Sequence, residues 1–269
     1  VAETRIYRLD ASPGYSSCPG QSETVMSGPL KTVVLSLLLL SWASGCAIVP
    51  QASVAPEGLL QVLGPFPGFS PVELPGDWAI EKDGELDENQ LQIMDMQGVP
   101  SLKVTNGSDS FVVVRRTQAM MLATPFLSWS WNIEPPSTTG YHPVRLVVGF
   151  YGGDPESPSR GSEPLRWLGS DLPAHDRALS LTWGESALQR GTLSPPPESD
   201  NRAAPRYSVR GGRENAGSWW LETVDLYDLY HRSWPKDDAG KTQVVFIGVA
   251  AAGNRPPAPA YISGIVLSR

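Results

Sequence analysis

The stretch Phe126–Ile133, "FLSWSWNI", alternates without a fault. Leu127, Trp129, Trp131 and Ile133 point one way, and Ser128, Ser130 and Asn132 point the other. A period of two marks a strand buried on one face, and it places both indoles in a core. The same grammar recurs in "SLKVT", "FVVVRR", "VRLVVGFY", "LSLTW", "RYSVR", "SWWLETV", "QVVFIGVA" and "AYISGIVL", with Gly, Pro, Asn and Asp in the gaps. Many short strands and one helical candidate predict an all-β chain, an antiparallel β-sandwich or jelly roll with one short helix. Two long gaps, Gly152–Arg177 and Gly191–Pro205, are rich in proline and polar residues, so they read as excursions from the sheets. The helix candidate is "DLYDLYHRSWPKD": Asp225 is placed to cap it, and Pro235 ends it. Leu226, Leu229, Tyr230 and Trp234 share its apolar face.

The beginning of the chain follows different rules. Lys31 precedes an apolar run, Thr32–Leu40, that closes on Ala43-Ser44-Gly45-Cys46. The run is about half of the ~20 residues a membrane helix needs. A positive start, a short apolar run and small residues at its end make a secretory signal. Its last four residues resemble a bacterial lipobox, in which a peptidase cuts before a diacylated cysteine, although leucine is commoner where Ala43 stands. A plain secretory signal and a buried core helix are the alternatives. Ala47 follows without the aspartate that often retains lipoproteins at the inner membrane, which points to an outer-membrane protein facing the periplasm. Residues 1–25 then read as a start-site miscall ahead of Met26, 26–46 as the lipoprotein signal, 47–65 as a tether, and 66–269 as a single β-sandwich domain.

Composition narrows the function classes. Three basic and three acidic side chains lie in residues 1–46, so the remainder carries the whole formal charge of −7. An acidic domain without a basic stretch is a poor partner for nucleic acid. Both cysteines, Cys18 and Cys46, precede the expected domain, which must therefore be held by its core and not by disulfides. His142, His175 and His231 have no zinc-like spacing, and neither a metal nor a cofactor is expected.

Several segments resemble the family catalogued as domain of unknown function 3047. They are Leu127-Ser128-Trp129-Ser130-Trp131, Leu181-Thr182-Trp183-Gly184, Trp220-Leu221, the run Asp225–Trp234, and the closing "AYISGIVLS". They occur in the family's order and span roughly Trp78 to Leu267. The chain departs from the pattern at "YHPVR" and "VAAAGNRPP", where the resemblance implies acidic segments, and at Leu229, where it implies an aspartate. If those acids serve a site or a cation, the resemblance implies that this chain has lost it. The layout also looks like a carbohydrate-binding jelly roll, by analogy alone.

The chemistry legible in the residues is modest. Asp225, Asp228 and His231 form a polar stripe on the helix, which a solvated face explains and an acid/base site would also use. Gly184-Glu185-Ser186 lacks the frame of a nucleophile elbow. Gly211-Gly212 reads as a hairpin turn. Trp219 and Trp220 must face opposite ways, and an outward indole can stack on a sugar or anchor a partner. Trp219, with Trp183 and Arg145 as companions, is therefore the candidate ligand site. The reading is a lipid-anchored envelope protein that binds a glycan or another envelope component without catalysis. A glycan-acting hydrolase or lyase and an assembly partner are the alternatives. Metabolic labelling with a fatty acid should mark the wild-type protein and not Cys46→Ala; label retained by the variant would overturn the anchor.

Overall fold

The structure is a computed structural model that describes residues 49–64, 73–156, 171–196 and 204–269. The expected start-site segment, the expected signal and Cys46 lie outside the described residues. Among these residues no helix is long and apolar enough to cross a membrane.

In chain order the strands are β1 (Ala52–Ser53), β2 (Leu59–Leu63), β3 (Trp78–Lys82), β4 (Leu91–Met96), β5 (Val99–Thr105), β6 (Phe111–Met120) and β7 (Phe126–Ile133). Then come β8 (Val144–Tyr151), β9 (Arg177–Gly184), β10 (Leu193–Ser194), β11 (Arg206–Gly211) and β12 (Trp219–Asp225). Helix α1 (Leu226–Ser233), β13 (Gln243–Ala251) and β14 (Pro259–Ser268) finish the chain. The first sheet runs β1-β6-β13-β8-β9-β11-β10 with β3 also on β6, and the second runs β12-β7-β14-β5-β4 with β2 also on β14. The result is a two-sheet β-sandwich of jelly-roll kind with one α-helix among the described residues, as the sequence pattern predicts. Pairing is antiparallel apart from β1 on β6 and β11 on β9, which are parallel.

Three boundaries differ from expectation. The tether over 47–65 is overturned across most of its length, because β1 and β2 belong to the two sheets and Leu60, Val62 and Leu63 are buried. Arg115 on β6 fixes β2 across the sandwich, donating to the Gln61 carbonyl at 2.6 Å while its Nε holds Asp77 at 2.7 Å. The second excursion contains a short strand, β10, on the edge of β11. Gly211-Gly212 is not a hairpin turn: β11 and β12 lie in different sheets, and the glycines carry the chain from one to the other. A Cβ on Gly211 would meet the Ser186 carbonyl at 2.5 Å, so close backbone approach is what requires glycine there.

The core sits between the sheets. Trp129 and Trp131 are buried, and their rings meet edge to face at 5.5 Å. Trp131 meets Trp183 of the opposite sheet in the same manner, also at 5.5 Å. A smaller apolar cluster of Val114, Val147, Val245, Phe246 and Ala250 covers the outer face of the first sheet. Helix α1 behaves as its spacing predicts: Asp225 accepts from the Asp228 N–H at 3.1 Å, and Leu226, Leu229 and Tyr230 are buried. Tyr230 docks on Phe150 at 5.0 Å and donates to Asp237 at 2.8 Å. Arg177 at the start of β9 grips the same carboxylate through two nitrogens and also pairs with Asp154. Asp237 and Asp154 are thereby committed to holding the helix.

Candidate functional site

The three residues singled out from the sequence do not share a groove. Trp183 is an inward residue, 2% exposed, with its Nε1–H on the Gly212 carbonyl at 3.3 Å. Arg145 faces outward from the first sheet, beside Ala250 of the outer cluster. Trp219 faces outward from the second sheet, because its cross-strand partner Asn132 alternates with the buried Trp131. The core therefore lies between Trp219 and Arg145. Trp183 stands at the end of its alternating stretch, where the sequence alone leaves its direction open, and the Trp131 contact draws it in.

Trp219 does belong to a polar and aromatic row. Register places Trp219 opposite Asn132, Asn132 opposite Tyr261, Tyr261 opposite Lys103, and Lys103 opposite Gln92. Directly opposed side chains in a sheet stand about 5 Å apart, so the five form one continuous line across the second sheet's outer face. The Trp219 Nε1–H donates to the Met96 carbonyl at 3.1 Å. Met96 lies at the tip of the β4–β5 hairpin, where Gln97 and Gly98 take φ of 58° and 82° in a tight two-residue turn. That bond draws the indole and the hairpin tip together over the row.

Asn132 is the unusual member. It is wholly buried although it faces outward, and neither atom of its amide finds a hydrogen-bond partner among the described residues. An amide offers two donors and an oxygen acceptor, and leaving a buried polar group unmet costs roughly 1–3 kcal/mol. Tyr261 on its other side is buried as well and donates to Glu134 Oε1 at 2.8 Å. Burial, and then the Glu134 carboxylate, push the Tyr261 pKa up to about 12, so the phenol keeps its proton. The alternation of "AYISG" already put Tyr261 opposite the inward Ile262. Only the register could show that it and Trp219 flank the same asparagine.

Other candidates are less suited to a ligand. Trp183 lines a cleft of about 60 Å³ with Thr138, His142, Glu185 and Arg213. Small-molecule pockets begin near 300 Å³, about five times larger. A cavity of about 450 Å³ lies between β3 and β4, and its described lining residues, Leu74, Ile80, Leu86 and Leu91 with Lys82, Asp87 and Glu88, include no aromatic ring. Trp220 faces inward under the Arg210 guanidinium at 3.8 Å, and Arg210 in turn binds the buried Glu222. On the helix, Asp225 is a cap, Asp228 pairs with Arg232 at 3.2 Å, and His231 stacks on Tyr227, which describes a solvated face. No cluster of three His, Cys, Asp or Glu able to hold a metal occurs among the described residues.

No family model matches the chain, and no curated protein matches it. Among solved structures it is similar to a family 11 carbohydrate-binding module from Clostridium thermocellum in complex with a mixed-linked tetrasaccharide. Identity there is 8%, over 80% of this chain and 97% of that one, at a TM-score of 0.35. It is also similar to the xyloglucanase domain of a type three effector from Sinorhizobium fredii in complex with cellobiose. That match has 12% identity over 81% and 100% of the two chains, at a TM-score of 0.31. Likenesses this distant carry no argument about the site.

His142 in the small cleft supplies a pH test. Its Nδ1 accepts from the Val144 N–H at 3.1 Å, and burial lowers its pKa from 6.5 to about 4, with the Arg255 charge adding to the effect. The unfolded chain therefore takes up the proton first as pH falls. Stability from neutral His142 is complete above about pH 6.5 and drains away towards pH 4. Between pH 7.5 and 5 the loss should be about 2 kcal/mol in urea melts, and His142→Asn should lose correspondingly less. Equal losses in the two proteins would contradict this.

Proposed function

We propose that the chain is a non-catalytic binding domain for a glycan of the cell envelope, with the outer face of the second sheet around Trp219, Asn132 and Tyr261 as its binding surface. One observation carries the reading: a fully buried, outward-facing amide with no partner among the described residues stands between two aromatic side chains. A sugar ring offers an apolar C–H face to an indole and adjacent hydroxyls to an amide, so one ligand class meets both needs. Entry requires Trp219 to leave the Met96 carbonyl, after which the indole can lie on the ligand. Hydrolysis of a glycoside ordinarily needs two carboxyl groups about 5–9.5 Å apart. Within this row and its direct partners Glu134 is the single carboxylate, and it is bonded to Tyr261.

The address forms part of the same proposal. Lys31, the run Thr32–Leu40 and Cys46 support export and a lipid anchor, and Ala47 supports the outer membrane, facing the periplasm. Membership of the domain of unknown function 3047 family is proposed on the order of its motifs.

The experiment is retention of the chain without residues 1–46 on peptidoglycan sacculi and on envelope polysaccharide, with product analysis of the same mixtures. Trp219→Ala should weaken retention roughly tenfold, about 1.4 kcal/mol, while leaving the melt nearly unchanged. Undiminished retention would remove Trp219 from the site. Released oligosaccharide would favour the hydrolase or lyase, and no retention of the wild type would favour a protein partner.

A further inference from the structure

The opposite outer face carries a second, differently charged feature. Arg145 on β8 and Arg206 on β11 both point outward from the first sheet, with β9 between them: Arg206 lies opposite Ser180, and Ser180 lies opposite Val147. The Arg206 guanidinium reaches back over the Tyr141 ring at 5.6 Å, and Tyr141 lies in the segment that leads into β8. Its charge is thus carried towards Arg145. A third arginine holds that segment in place. Arg255 donates to the Tyr141 carbonyl at 2.7 Å, to the Thr139 carbonyl at 2.9 Å and to Thr138 Oγ1 at 3.1 Å.

None of these three arginines forms an ion pair with a described carboxylate. Arg115, Arg177, Arg190, Arg210 and Arg232 all do. In an acidic protein, Arg206 and Arg255 on Tyr141, with Arg145 near enough to Arg206 to feel its charge, form a local reversal of charge with no ion-paired acid among the described residues. Beside Arg206 on the same face, Ser208 is wholly buried and its hydroxyl has no partner among the described residues. We propose that Arg145 and Arg206, with the Ser208 hydroxyl close by, form a binding site for an oxyanion carried by a ligand, either a phosphate or the carboxylate of an acidic sugar.

The chemistry follows from the donors. A guanidinium presents five N–H groups in a planar fork that matches a carboxylate or phosphate edge. Arg145 is half-buried, and burial followed by the neighbouring Arg206 charge holds its pKa below the usual guanidinium value. An anion would relieve both effects, whereas a neutral ligand would relieve neither. This site is independent of the one around Trp219.

Calorimetric titration of the chain without residues 1–46 tests the proposal, using inorganic phosphate in one arm and galacturonate in the other at matched ionic strength. Saturable heat in at least one arm is expected, weakened at least tenfold in Arg145→Gln and in Arg206→Gln and unchanged in Trp219→Ala. Thermal melts verify that the variants fold. Heat in the phosphate arm alone identifies a phosphate ligand, and heat in the galacturonate arm alone identifies an acidic sugar. Absence of saturable heat in both arms would overturn the site, as would titrations of folded Arg145→Gln and Arg206→Gln that match the wild type. Loss of glycan retention in Trp219→Ala with these titrations intact would keep the two surfaces distinct.

Discussion

The edge-to-face contact between Trp131 and Trp183 joins the two sheets, and the facing of their central strands depends on it. Aromatic side chains bury roughly 150–250 Å² each, and such pairs add about 0.5–1.5 kcal/mol beyond burial. With Trp129 and Trp131 turned inward, a period of two leaves Ser128, Ser130 and Asn132 no choice but to face out. Pairing then turns Trp219 and Tyr261 out beside Asn132, and turns Trp220 in towards Arg210. The proposed binding surface is thus the complement of the core. A one-residue slip of β7 would exchange them.

This dependence explains what the sequence could and could not reveal. Strands with strict alternation were legible, as was α1, because cap, apolar spacing and terminating proline agree within a dozen residues. The opposition of Trp219 and Trp220 was legible for the same local reason. Strand partners were not. β1 and β2 lie in a stretch biased to Pro, Gly and Ala, too short to show a period, and they are strands because β6 and β14 offer them edges. "VRGGREN" looks like a hairpin turn until long-range pairing assigns β11 and β12 to different sheets. Arg145 and Trp219 both read as polar or amphipathic companions of buried neighbours. Only the topology shows them on opposite outer faces.

The buried polar groups divide by whether they are satisfied. Asp237, gripped by Arg177 and Tyr230, and Glu222, gripped by Arg210, hold structure together. Burial raises the Tyr230 pKa, and Asp237 adds to that rise, so the phenol stays a donor to the carboxylate. Among the described residues Asn132 makes no such bond, and unlike the unpartnered Trp129 and Trp131 indole N–H groups inside the core it faces out. A fold selected for stability alone would carry an apolar residue there. Local rules broken without a structural gain concentrate where proteins bind.

That contrast leads to the most direct measurement, a comparison of Asn132→Leu with the wild type in thermal melts and in glycan retention. A leucine removes the unmet amide at similar volume, so the melting temperature should hold or rise while retention is lost. A variant that melts well below the wild type, or one that retains glycan undiminished, would contradict the account.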